Sequence, residues 1–325
     1  MKLKKVMLIA LVIAIFVTAG FLLIKGRDIK KDDNSKIKII SSNFASYDFL
    51  RAIIGDNNNV ELTFLIGPGK DPHSYDPTAQ DLIAIQKSDL FVYIGGEMEN
   101  WADKVLEAID SNSTEKICIA DFVDTIEEKD VDGAEKEENE HDKEKNGAYD
   151  EHIWTSPSNA IKMVEALEKA MEKIDKSNSN DYKENSEKYI AQIKDVDNKI
   201  QDIVNNKVRD RLVFGDKMPM QYFIDYYKLK VSSAFNGCST EIDPSARTIA
   251  YLENKVKEEN IPVVLYIELN PGKVASIIAN EAGESCQAMQ IQALHNVSLD
   301  DFNNGETWVS LMSRNIDVLK KALQW

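Results

Sequence analysis

From Lys36 onward, short apolar runs alternate with amphipathic segments, and this alternation restricts the fold more than any other feature. Ile37–Ser41, Val60–Ile66, Leu90–Ile94 and Ile117–Ala120 read as strands, with helices over Phe44–Ile54, Pro77–Lys87 and Trp101–Ile109 between them. The alternation returns near the C-terminus. Strands over Leu212–Phe214, Lys230–Phe235, Val263–Ile267 and Met289–Leu294 are interleaved with helices over Gln221–Tyr227, Ser245–Glu258, Val274–Glu281 and Thr307–Leu323. Strands separated by helical crossovers pair in parallel, so the expected fold class is α/β.

Two segments interrupt the pattern. Asp124 to Glu151 is crowded with Asp, Glu and Lys and has almost no large apolar residue. Such a stretch buries too little surface to offset its ordering entropy, so a mobile acidic loop is expected, with His141 inside it. After it, Ser156 and Pro157 supply a cap and a first helical position. Ile161, Val164, Met171 and Ile174 then repeat at helical spacing, followed by Ile190, Ile193, Val196, Ile200 and Ile203. The second series predicts one helix from about Asp181 to Asn206, roughly 35–40 Å long. The expected architecture is therefore two lobes of parallel sheet with flanking helices, bridged by a single long α-helix. By residue number it comprises an N-terminal segment at 1–25, a linker at 26–35 and an N-terminal α/β lobe at 36–178 containing the loop 124–151. A connecting helix at 179–207 and a C-terminal α/β lobe at 208–325 follow.

Lys2, Lys4 and Lys5 precede an uncharged apolar run from Val6 to Ile24. That length crosses a bilayer as a helix, and its positive flank stays in the cytoplasm, placing the remainder outside. A membrane anchor is expected, with a signal peptide cleaved after Ala19 as the alternative. The location is extracytoplasmic on either reading, anchored or secreted. The net charge of −16 argues against nucleic acid as a partner, because a phosphate backbone would be repelled. Cys118, Cys238 and Cys286 lack CxxC spacing, so an all-cysteine zinc site is not expected, and Cys118 and Cys286 are expected to be plain core residues.

The chain has four histidines. His73 lies in Gly67-Pro68-Gly69-Lys70-Asp71-Pro72-His73-Ser74-Tyr75-Asp76, and His152 in Asp150-Glu151-His152-Ile153-Trp154-Thr155-Ser156-Pro157. Ligands of open α/β sheets bind at the carboxyl ends of strands. Asp216, Glu268 and His295 each follow a predicted strand, and His73 follows another after its Gly-Pro-Gly turn. Imidazoles with one carboxylate suit zinc, with manganese as the alternative if Asp216 and Glu268 both bind. Calcium and magnesium prefer oxygen shells. Binding should weaken as pH falls below about 6, because the imidazoles must be neutral.

These motifs resemble the substrate-binding proteins of bacterial ABC importers for zinc and manganese, over roughly Lys36 to the C-terminus. Residues 67–78 resemble that family's first metal-ligand motif and residues 150–157 its second; Asp89, Gly95, Gly96, Glu97 and Trp101 also look like the family. The resemblance implies two α/β lobes bridged by a long helix. It also implies His73 and His152 as ligands, with further ligands after the strands that end at Phe214 and Leu294. This chain departs from the pattern there: Asp216 stands near the place of a third histidine, and His295 near the place of an acidic ligand. Glu268 aligns with a family glutamate usually outside the coordination shell. Cys238 and Glu241, in Gly237-Cys238-Ser239-Thr240-Glu241, are lesser candidates, with a structural Cys238 and a Glu241–Arg247 pair as the alternative.

The expected function is an extracytoplasmic solute-binding protein that captures Zn2+, or alternatively Mn2+, and delivers it to an ABC permease. The metal set is His73, His152, His295 and Asp216. A monomer is expected. A surface adhesin of the same fold is a further alternative. The chain contains no HExxH, serine elbow or phosphate loop, so a zinc metallohydrolase is disfavoured and no enzymatic activity is expected.

Overall fold

The computed structural model describes residues 36–108, 114–135, 149–237 and 243–324. The expected N-terminal anchor and linker, His141, Cys238 and Glu241 lie outside these residues. Residues from Lys38 onward form one compact unit. No described helix is long and apolar enough to cross a membrane.

Two four-stranded parallel sheets organise this unit. The first contains β1 (Ile37–Ser41), β2 (Val60–Phe64), β3 (Leu90–Tyr93) and β4 (Glu115–Cys118), in the order β2-β1-β3-β4. The second contains β5 (Arg211–Lys217), β6 (Lys230–Phe235), β7 (Val263–Ile267) and β8 (Gln287–Ile291), in the order β6-β5-β7-β8. The topology is the same in both. Each chain segment adds its second strand on one side of the first and then crosses back, creating a switch point between β1 and β3 and another between β5 and β7. Ile39 stands opposite Leu90, and Val213 opposite Val264.

Helices α1 (Phe44–Ile54), α2 (Ala79–Gln86) and α3 (Asn100–Ala108) connect the first set of strands. The Asn43 side chain accepts from Ser46 N at 2.9 Å to cap α1, and Thr78 with Asp81 forms a capping box on α2. Helix α4 (Pro157–Ile174) leads into the long helix α5 (Ser179–Asn205). The apolar stripe predicted on α5 is the buried one, through Ile193, Val196, Ile200 and Ile203. In the second part, α6 (Gln221–Tyr227), α7 (Ala246–Glu258), α8 (Lys273–Ala282), α9 (Leu299–Asn303) and α10 (Trp308–Gln324) complete the fold.

One buried carboxylate joins several of these helices. Asp48 of α1 accepts from the Tyr189 hydroxyl of α5 and from Trp308 N of α10 at 2.7 Å, and it pairs with Arg51 at 2.6 Å. Burial raises its pKa, against the lowering effects of Arg51 and these hydrogen bonds. Trp154 and Trp308 are fully buried beside one another, with Trp308 Nε1 donating to Trp154 O at 3.0 Å. Side chains of this size contribute about 1.5–3 kcal/mol each by leaving water.

Several expectations change. Strand β5 runs to Lys217, with a register shift between Phe214 and Lys217, so Asp216 lies inside the strand end. Strand β8 stops at Ile291, and His295 follows on an irregular turn. Ser156 occupies the N-cap of α4 without a side-chain capping bond. Cys118 and Cys286 are half-buried free thiols at the core margin. The ends of the acidic loop are anchored by groups remote in sequence. Asp132 bridges to Ser232 beside the edge strand β6, Glu135 N donates to Ala234 O at 2.9 Å, and Glu127 bridges to Tyr149. The Asp132 carboxylate meets Arg211 at 3.1 Å and Ser232 Oγ at 2.9 Å.

Candidate metal centre

His73, His152 and His295 converge, although 222 residues separate the first from the last. One ring nitrogen of each lies within 4.8 Å of the other two. The ring centroids are 4.8 Å apart for His73 and His295, 5.2 Å for His152 and His295, and 5.7 Å for His73 and His152. All three Nε2 atoms are buried without a hydrogen-bond partner. Leaving such atoms unsatisfied is costly. Zinc takes imidazole nitrogens at ~2.0–2.1 Å.

Each histidine is set by local chemistry. Asp71 caps the short 3-10 turn Pro72–Ser74, and its Oδ1 accepts from His73 N at 3.0 Å. Asp150 Oδ1 accepts from His152 N at 2.7 Å and lies 3.0 Å from His152 Nδ1. A proton held on Nδ1 by this carboxylate leaves Nε2, buried and without a partner, as the lone-pair nitrogen. His295 N donates to Glu268 Oε1 at 2.6 Å, at the end of β7.

The three motifs are also tied to each other. Asn296 Nδ2 donates to Gly67 O at 3.0 Å and Lys70 O at 2.5 Å, and Gly69 N donates to Val297 O at 2.8 Å. Trp154 Nε1 donates to Ala293 O at 3.0 Å. The His73 turn, the His152 motif and the His295 turn are therefore fixed together by hydrogen bonds across the long sequence intervals between them.

Electrostatics differ among the rings. Burial, reinforced by the neighbouring His152, lowers His73 to about 4. Burial and both partner imidazoles hold His295 well below the ordinary histidine value. For His152 burial again acts downward, but Asp150 and Glu151 more than offset it, and the net shift is upward. The Lys217 ammonium adds a further downward push on His73 and His295.

The carboxylates expected from sequence are placed differently. Asp216 is not one of the three groups that converge, although its Oδ2 is buried without a partner. Burial raises its pKa against backbone hydrogen bonds from Lys217 and Ile267. Glu268 uses both oxygens on backbone groups, Ala293 N at 2.8 Å and His295 N at 2.6 Å, and burial pushes it up to about 7. Sequence reasoning had no role for Asp150, Asn296 or Lys217. Only Asp150 carried a signal, as an acid two residues before a scarce histidine.

The profile of the family described as zinc-uptake complex component A, periplasmic, matches residues 39–322. The high-affinity zinc uptake system protein ZnuA of Bacillus subtilis is 30% identical over 305 residues, covering 92% of this chain and 91% of that protein. The zinc-binding lipoprotein AdcA of Streptococcus pneumoniae is 28% identical over 296 residues, covering 90% of this chain but only 57% of that longer protein. Among solved structures, the metal-dependent lipoprotein YcdH from Bacillus subtilis superposes with a TM-score of 0.75 at 25% identity, covering 89% of this chain and 100% of that one. The Zn(II)-bound ZnuA-like domain of Streptococcus pneumoniae AdcA gives a TM-score of 0.73 at 24% identity, covering 90% of this chain and 100% of that domain.

Proposed function

Because the chain belongs to the zinc-uptake complex component A family, we propose that it is the extracytoplasmic receptor that captures Zn2+ and passes it to the membrane permease of an ABC importer. The observation that carries this reading is the convergence of three buried imidazoles, each with an unpartnered Nε2. Members of this family bind solutes for transport rather than transforming them.

His73, His152 and His295 are the proposed nitrogen ligands. Asp216, with its buried free oxygen at the end of β5, is the proposed source of the fourth. A shell this rich in imidazole favours Zn2+ over Mn2+, which prefers oxygen donors. Glu268 is proposed outside the shell, since both its oxygens already accept from backbone. The division into a lobe at 36–178, a connecting helix at 179–207 and a lobe at 208–325 belongs to the same proposal, as do membrane attachment through residues 1–25 and a monomeric state.

Isothermal titration of the full chain with zinc tests the ligand set. His73→Ala, His152→Ala and His295→Ala should each weaken binding by more than the ~10–100-fold typical of changes outside the coordination shell. Parental affinity in any two of these variants would remove the site. Asp216→Ala with unchanged affinity would remove only the fourth ligand.

A further inference from the structure

Beyond Ile291 the chain leaves β8 and enters the turn Gln292-Ala293-Leu294-His295-Asn296. Leu294 has φ +58°, the left-handed region. A side chain with a Cβ rarely adopts it, and for Leu no local polar group compensates. Leu294 is also buried, so this is not a loose loop tip. Its conformation sets the direction in which the next residue leaves the turn, and the next residue is His295.

One side chain spans the strained position. Glu268 Oε2 accepts from Ala293 N at 2.8 Å, and its Oε1 accepts from His295 N at 2.6 Å. These are the N–H groups of the residues immediately before and after Leu294. Both point to one carboxylate with the intervening residue at positive φ. The flanks are fixed by other contacts: Gln292 N donates to Asn315 Oδ1 at 2.7 Å, and Trp154 Nε1 donates to Ala293 O at 3.0 Å. Those contacts hold the turn in place but leave the two N–H groups beside Leu294 to Glu268. Strained backbone at a binding site persists where its surroundings over-determine it.

We propose that Glu268 is a positioning residue, whose two oxygens hold Leu294 in the left-handed conformation that aims His295 at the metal. This rests on the reading of His295 as a zinc ligand. A carboxylate is suited to the task because it presents two acceptors and no donor. Glutamine presents one acceptor, and its amide group would face a backbone N–H.

A double-mutant cycle on the full chain tests the proposal, with zinc affinity read by competition against a chromophoric chelator. Glu268→Gln should weaken binding about tenfold, the scale of one left-handed backbone strain. In a Leu294→Gly background, where positive φ is free of strain, the same change should cost no more than about twofold. The cycle cancels the packing that Leu294→Gly removes. If near-UV circular dichroism finds Leu294→Gly unfolded, Leu294→Asn replaces it, since Asn tolerates the same region. The visible spectrum of the Co2+ form should be unchanged in Glu268→Gln. Equal losses in both backgrounds would overturn the proposal, and a Co2+ spectrum that Glu268→Gln shifts equally in the parent and in the Leu294→Gly background would make Glu268 a ligand instead. His295→Ala in the same assay separates the two levels: parental zinc affinity there would defeat the ligand assignment whatever the cycle gives.

Discussion

Asp150 decides which nitrogen of His152 is available. Its Oδ1 lies 3.0 Å from Nδ1, so in the neutral ring Nε2 carries the lone pair, and its charge helps raise the ring's pKa against burial. Two consequences follow from this one contact. Asp150→Asn keeps an acceptor but removes the charge, and zinc affinity should fall by about 10–100-fold, measurable by chelator competition. Zinc binding near neutral pH should also release a proton from His152, detected by calorimetry in buffers of different ionisation enthalpy. The release should shrink in Asp150→Asn, and an unchanged release would mean that the proton comes from another group. At this scale the sequence was informative where a residue type was scarce and chemically specialised. Three of the four histidines stood out for that reason, and among the described residues they are the three that meet. Lys217 and Leu294 carry no such mark. One acts through space on rings remote in sequence, and the other acts through a backbone angle that depends on tertiary contacts.

Between elements, what matters is how closely backbones approach. Gly215 of β5 sits where an added Cβ would lie 2.6 Å from Ala275 Cα and 2.7 Å from Ala275 N, on the backbone of α8. A backbone cannot rotate aside as a side chain does. Gly215→Ala should therefore destabilise the fold by about 1–3 kcal/mol, the range for overpacking a close-packed site. The expected fall in melting temperature is roughly 2–4 °C per kcal/mol. A melting temperature equal to the parent's would show that α8 shifts freely on β5. The alternation of strands and helices was legible because apolar periodicity is local: β1, α1, α6, β6 and β7 match their expected limits. The anchoring of residues 124–135 was not. Their sequence is polar without a period, and they are held by backbone pairing beside β6 and by Arg211, Ser232 and Tyr251, all distant in the chain. The end of β8 was also misplaced, since apolar residues continue through Ala293 and Leu294 after the strand pairing stops at Ile291.

For the whole molecule, the buried ionisable groups oppose one another across one pH range. His73 falls from 6.5 to about 4 and His295 falls well below 6.5. Between His73's folded value and 6.5 the unfolded chain binds more protons through these two groups, so their contribution to stability rises with pH. Glu99 and Glu268, raised by burial from 4.5 to about 7, do the reverse. Between 4.5 and about 7 the folded chain holds their protons after the unfolded chain has lost them, so their contribution falls as pH rises. His152, raised above 6.5, adds stability that is fully present below 6.5 and lost as pH climbs through its folded value. Asp48 and Asp216, also raised by burial, add to the falling side. Between about 4.5 and 6.5 the metal-free protein should therefore gain less stability with rising pH than the two lowered histidines alone would give. Zinc breaks this balance, because it binds only the deprotonated imidazoles and leaves Glu99 untouched. Zinc at a hundred times its dissociation constant adds about 2.7 kcal/mol, and proton competition raises that constant as pH falls. Thermal unfolding from pH 5 to 7, with and without zinc, should give a zinc-induced shift that grows with pH above the metal-free baseline. Glu99→Gln should tilt that baseline upward with pH, because it removes one falling contribution and leaves both histidines. A zinc-induced shift that stays constant from pH 5 to 7 would mean that no proton competes for the site in that range, and His152, the one ring of the three whose pKa is raised, could not then be a ligand.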